Sequence, residues 1–263
     1  MKVSLQGLKG FLETSFADWP GRLCGVLFLG GCNFRCPYCH NPDLVLAPQQ
    51  MEDLRWETVR ERIQELGGWL DGVCVTGGEP TLNPHLPYLL EEIRSMGLLV
   101  KLDTNGSRPG VLNVLIRNGL IQAVSMDIKA PLEEGPYGRC SGVDAPLGEI
   151  ARSVELLGSC GLEVEFRTTV VPELLGKAEI LSIARALPPA GRYTLQAFRP
   201  ASTLDPEMKL QPPCPLETLE EFVREVKAVR SEPIPGGIRS ASFSSETQGE
   251  PTESPRWAQK LGA

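Results

Sequence analysis

No basic cluster interrupts this sequence: 26 lysines and arginines stand against 33 aspartates and glutamates, for a net charge of -7. A nucleic-acid surface needs a dense positive stripe, so the balance argues against a polynucleotide substrate. Long apolar runs are missing too. The stretch Val26-Leu27-Phe28-Leu29 is strand-sized, far below the roughly 20 residues that cross a bilayer. The opening Met1-Lys2-Val3-Ser4-Leu5-Gln6 has no apolar signal core. The expectation is a cytoplasmic chain with no membrane partner and no nucleic-acid partner. Histidine is scarce, with only His40 and His85. Of eight cysteines, those outside one loop are scattered without pairing spacing, which speaks against a disulfide framework and fits a reducing compartment.

What is present is material for one large domain, 263 residues of which 41% are hydrophobic. Short apolar runs of strand type alternate with stretches whose apolar residues recur at helical spacing. Strands are expected over Leu23 to Leu29, Val73 to Val75, Leu98 to Leu102, Ile121 to Met126, Leu162 to Val170 and Tyr193 to Phe198. Between and after them run stripes such as Val59, Ile63, Leu66 and Leu70, or Leu147, Ile150, Val154 and Leu157. Six such strand-helix units require parallel strands with right-handed crossovers, and fall short of the eight that close a barrel. Reactive residues are then expected where strands end. The domain is assigned to residues 1–230. The Pro-, Gly-, Ser- and Glu-rich remainder, 231–263, reads as a flexible tail with no catalytic role.

The most informative run lies just past the first expected strand: Gly30-Gly31-Cys32-Asn33-Phe34-Arg35-Cys36-Pro37-Tyr38-Cys39-His40. Three thiolates at this spacing can hold three irons of a four-iron cluster, leaving the fourth without a protein ligand and open to a substrate or cofactor. A zinc site or an electron-transfer cluster is the alternative, and each would want a fourth protein ligand. His40, directly after the last cysteine, is placed to hydrogen-bond near the metal. His85, next to Pro84, reads as a helix-start residue.

Other strand ends carry polar groups. Thr76-Gly77-Gly78-Glu79-Pro80 follows the second strand, its glycines permitting close backbone approach and Glu79 able to accept from an ammonium. Asp103-Thr104-Asn105-Gly106 and Asp127-Ile128-Lys129 end the next two. By itself Asn-Gly is a turn signal. Two adjacent strands both ending in a carboxylate, the second followed by Lys129, make a group suited to a charged cofactor. Arg167, Gln196, Phe198 and Arg199 extend the set on the last strands. Cys24 and Cys74 read as core residues.

These motifs resemble the radical S-adenosylmethionine enzymes. The resemblance rests on Cys32, Cys36, Tyr38 and Cys39, and is strengthened by the Gly77-Gly78-Glu79-Pro80 turn. It implies a partial (β/α)6 TIM-like barrel and one [4Fe-4S] cluster ligated by Cys32, Cys36 and Cys39. It also implies S-adenosylmethionine on the open iron, cleaved reductively to methionine and a 5'-deoxyadenosyl radical. Cofactor contacts are implied at Tyr38, Thr76, Gly77, Gly78, Glu79, Asp103, Asp127 and Lys129. A monovalent cation is a further candidate, held by Asp103, Thr104, Met126 and Asp127.

The opening Gly10 to Gly21, the cysteine loop and Asp127 to Pro131 are similar to glycyl-radical-enzyme activases, in particular the anaerobic ribonucleoside-triphosphate reductase activating proteins. That similarity implies a glycyl-radical enzyme as partner and a flavodoxin- or ferredoxin-type electron donor. Activases with a ferredoxin-like insertion carry further cysteine clusters soon after the first. This chain runs from Pro42 to its first helix, so no auxiliary cluster is expected. The alternative is a radical enzyme acting on a small molecule, of the 7-carboxy-7-deazaguanine synthase type.

Overall fold

The computed structural model describes residues 5–230, so the tail expected at 231–263 lies outside the described residues. The chain opens with β1 (Leu8–Ser15), which runs antiparallel to β2 (Cys24–Leu29). After the cysteine loop come the short α1 (Pro42–Leu46), then α2 (Trp56–Leu66) and β3 (Gly72–Gly77). The alternation continues through α3 (Leu86–Ser95), β4 (Leu99–Thr104), α4 (Pro109–Arg117) and β5 (Ala123–Asp127). Two helices, α5 (Glu134–Ser141) and α6 (Leu147–Ser159), precede β6 (Glu163–Val170). Then α7 (Lys177–Ala186), β7 (Arg192–Ala197) and α8 (Leu216–Val229) complete the described fold.

The strands form one sheet in the order β1 to β7, with β2 to β7 all parallel and no pairing of the last strand to the first. This is the expected partial barrel, carrying one antiparallel strand that the sequence reading did not assign. β1 escaped because Lys9 and Gly10 break its apolar alternation. Buried Lys9 is tolerated there because its ammonium reaches Asp53 at 2.6 Å and the Met51 carbonyl at 2.8 Å.

Each strand presents alternate residues to opposite faces. One face carries Leu27, Leu29, Val73, Val75, Val100, Leu102, Val124, Met126 and Phe166 against the helices, joined by buried Leu86, Leu89, Leu90 and Ile93 of α3 at helical spacing. The inner face is apolar only at its lower end, where Trp19, Cys24, Val26, Cys74 and Ala123 pack together. Trp19 is 1% exposed and plugs this end. Its indole N–H donates to Glu163 Oε2 at 3.4 Å, and Arg22 lies over its ring. Above the plug the inner face turns polar, so a charged layer rests on an apolar floor.

Candidate active site

The cysteine loop begins where β2 ends, and hydrogen bonds of its own backbone hold it. Gly31 N–H donates to the Leu44 carbonyl at 2.7 Å, Arg35 N–H to Ser141 at 2.7 Å, and Cys39 N–H to Cys36 at 3.0 Å. The Arg35 guanidinium folds back onto the Cys32 and Phe34 carbonyls, at 2.7 and 2.8 Å. From α5, Tyr137 meets Phe34 edge to face, and Gly142 ends the helix at φ +68. A side chain on Gly142 would stand 2.0 Å from the Arg35 carbonyl, so glycine is what lets α5 abut the loop.

The turn after β3 is clamped against the same loop. Gly78 N–H donates to Leu29 at 2.8 Å and Glu79 N–H to Gly31 at 2.7 Å. Cβ atoms on Gly77 and Gly78 would fall 2.2 and 2.0 Å from the Leu29 and Gly31 carbonyl oxygens, so both glycines are needed for this close approach. Glu79 is 1% exposed and turned toward the end of β4. Its Oε1 accepts from Thr81 N–H at 3.1 Å, Thr81 Oγ1 at 2.5 Å and Thr104 Oγ1 at 2.7 Å, while Oε2 accepts from Asn105 N–H at 2.6 Å. Burial raises its pKa above the ordinary carboxylate value, against the pull of those donors. The side chain expected to receive an ammonium is thus already engaged within the protein. Thr76 is half-buried on the inner face, in register with Phe28.

A line of charges crosses the inner face above the plug. Lys101, 3% exposed, pairs with Asp103 Oδ1 and lies 3.8 Å from Cys74 Sγ. Arg167 Nη1 lies 2.9 Å from Asp103 Oδ2, and Arg167 Nε 2.9 Å from Asp127 Oδ1. Lys129 Nζ closes the line 3.0 Å from Asp127 Oδ2. Burial opposes ionisation of Asp127, but Arg167 and Lys129 prevail and hold its pKa at about 2. Beside the line, Glu165 receives Arg192, Thr194 and Ser125, at 2.9, 2.7 and 3.0 Å.

The profile of the Radical SAM superfamily matches residues 26–182, more than half of the sequence. The chain belongs to the radical SAM superfamily. A protein of Methanocaldococcus jannaschii, provisionally named a glycyl-radical enzyme activating enzyme, is 32% identical over 209 residues, 78% of this chain and 85% of that protein. The pyruvate formate-lyase-activating enzyme of Staphylococcus aureus is 37% identical over 113 residues, covering 37% of this chain and 42% of the relative, less than half its length. Among solved structures, Streptococcus suis SuiB bound to precursor peptide SuiA superposes with a TM-score of 0.59 at 15% identity, over 78% of this chain and 46% of that one. Archaeal TYW1 gives 0.50 at 14% identity, over 78% and 71%. At such identities the structural likeness is one of fold.

The residues suit what a radical SAM enzyme holds. All three loop thiols are free, and each lies close enough for its charge to act on another. Burial pushes all three thiols above their ordinary value, Cys36 up to about 12, and Lys129 opposes the rise at each. Iron binding must therefore displace their protons. Tyr38, whose hydroxyl is buried without a hydrogen-bond partner, provides an orphaned polar atom beside the same loop.

Other residues sort differently. His85 begins α3 as expected, while His40 is exposed and the desolvation of its ring lowers its pKa. Phe198 does not share a face with Gln196: β7 stops at Ala197, and Phe198 turns into the helix-side core while Gln196 stays exposed. Lys101 was missed altogether, since a lysine within a short strand reads as a surface charge. A surface cavity of about 310 Å³ between α2 and α3, lined by Arg60, Gln64 and Ser95, lies at the opposite end of the strands from the cysteines.

Proposed function

We propose that this radical SAM chain activates a glycyl-radical enzyme, with an anaerobic ribonucleoside-triphosphate reductase as the partner. Cys32, Cys36 and Cys39 would hold three irons of a [4Fe-4S] cluster, leaving the fourth for the amino and carboxylate groups of S-adenosylmethionine. The cluster and cofactor, once bound, would supply one-electron reductive cleavage of the sulfonium, the electron coming from a flavodoxin- or ferredoxin-type donor and the products being methionine and a 5'-deoxyadenosyl radical. The carrying observation is the backbone clamp between the cysteine loop and the Gly77-Gly78-Glu79 turn, with the charged line on the neighbouring strand ends.

Within this reading the chain's own residues orient and neutralise. Lys129 pairs with Asp127 at 3.0 Å and its charge opposes the rise in pKa at all three thiols, so it would act on the metal site as well as on the charged line. Gly77 and Gly78 let the turn close against the cysteine loop, which would set the cofactor-facing turn beside the cluster. The glycine Cα–H of the partner suits the reaction because no side chain shields it. The Methanocaldococcus relative, matched over 85% of its own length, supports the activase class.

The test is anaerobic reconstitution with iron, sulfide and a low-potential reductant, followed by electron paramagnetic resonance with S-adenosylmethionine and a candidate reductase. A glycine-centred doublet together with 5'-deoxyadenosine is the expected result. Deoxyadenosine without a partner radical would overturn the activase reading and leave a small-molecule substrate.

A further inference from the structure

A monovalent cation beside S-adenosylmethionine would require open oxygens at the ends of β4 and β5, and these strands offer few. Thr104 and Met126 point to the helix side of the sheet: Thr104 Oγ1 donates to Glu79, and Met126 is fully buried in the outer core. On the inner face each oxygen of Asp103 and Asp127 already faces a cation of the protein. Lys101, Arg167 and Lys129 against two carboxylates leave one positive charge on the line. Glu165, the next carboxylate, is paired with Arg192.

We propose that the buried ammonium of Lys101 serves as a built-in monovalent cation, so that the site binds S-adenosylmethionine without potassium or sodium. Lys101 comes from one layer below Asp103, on the same face of β4, and neutralises the oxygen that Arg167 does not reach. The second neighbour of that oxygen is the Cys74 thiol at 3.7 Å, which carries no positive charge. A free ion would have to displace an ammonium tethered to the same strand, which is entropically disfavoured. Lys101 is thus a positioning residue: it fixes Asp103, which in turn fixes Arg167. The inference rests on the S-adenosylmethionine reading but not on any particular partner.

The test needs no partner enzyme. In reduced, cluster-loaded native protein kept in a tetramethylammonium buffer, the S-adenosylmethionine-dependent change in the cluster's paramagnetic spectrum should titrate with the same midpoint when potassium or sodium is added. A native midpoint that tightens about tenfold or more with either ion would overturn the proposal. Lys101→Met should weaken the midpoint by about tenfold and recover with potassium or sodium. Failure to recover, or no weakening, counts against it. Because a buried-lysine variant can fold poorly, metal-free native and variant proteins are also melted in both buffers. Added potassium or sodium should raise the Tm of Lys101→Met and leave the native Tm unchanged. A native Tm that rises as much as the variant's would also overturn it. If no S-adenosylmethionine-dependent signal forms at all, the cofactor reading fails, and the melting comparison alone decides the role of Lys101.

Discussion

Arg167 on β6 spans two strand ends at once, its Nη1 2.9 Å from Asp103 Oδ2 and its Nε 2.9 Å from Asp127 Oδ1. A planar fork can bridge two carboxylates, whereas an ammonium is a single point charge. Arg167→Met should therefore leave one oxygen of each carboxylate without its partner, while Lys101 and Lys129 still pair with the other, and cost roughly 1–3 kcal/mol. Arg167→Lys should recover less than half of that. Urea unfolding of the metal-free proteins checks both, and a loss under about 1 kcal/mol for Arg167→Met would show that the bridge contributes little.

The acid limb of stability should carry the mark of Asp127. Its folded pKa is about 2 against an ordinary 3.8, because Arg167 and Lys129 outweigh the effect of burial. A depressed folded pKa means the unfolded chain binds the proton first as pH falls. The stabilisation is complete above about pH 4 and disappears as pH drops through about 2. Asp127→Asn should flatten the stability profile across that window, measured by denaturant midpoints at successive pH values. An unchanged slope would count against the assignment.

Glu79 makes a different demand, since all four hydrogen bonds to it come from donors. Glutamine keeps the shape but turns an N–H₂ toward either Asn105 N–H or the two threonine hydroxyls. Glu79→Gln should cost roughly 1–3 kcal/mol in the metal-free protein. Amide exchange at Asn105, just past the end of β4, should accelerate relative to the strand itself. If that amide stays as protected as before, the bond from Asn105 is not contributing as the geometry requires.

A methyl group on Gly78 has nowhere to go, with the Gly31 carbonyl 2.0 Å away, while one on Gly68 meets nothing within 4 Å. Gly78→Ala should push the turn off the cysteine loop and leave the reconstituted protein short of iron. Gly68→Ala is the control and should retain its iron. Equal iron in both variants would contradict the clamp.

The parallel strands were legible because each is a compact apolar run between helical stripes, and a buried parallel strand needs nothing more. β1 was not, since Lys9 and Gly10 obscure a strand whose pairing is supplied by β2. α5 was hidden by Gly135, Pro136 and Gly138, and its place comes from packing Tyr137 and Cys140 into the core. At the site, spacing located the cysteines and the strand-end carboxylates, because those signals are local. Partners are not local. That Glu79 would face the end of β4, that Arg167 would bridge Asp103 and Asp127, and that Lys101 would be buried all depend on neighbouring strands 25 to 64 residues away.

The buried carboxylate of Glu79 bears on when the site is organised. It joins the turn after β3 to the end of β4, while the peptide N–H of the same residue secures the cysteine loop. Three segments are thus set during folding, by bonds that involve no ligand. Side chains that must be immobilised on binding cost about 0.5–1.5 kcal/mol each, and here that entropy is spent before any ligand arrives. A ligand entering such a frame keeps more of its interaction energy as affinity, and its arrival should leave the amide exchange rates of residues 76–79 and 103–105 nearly unchanged.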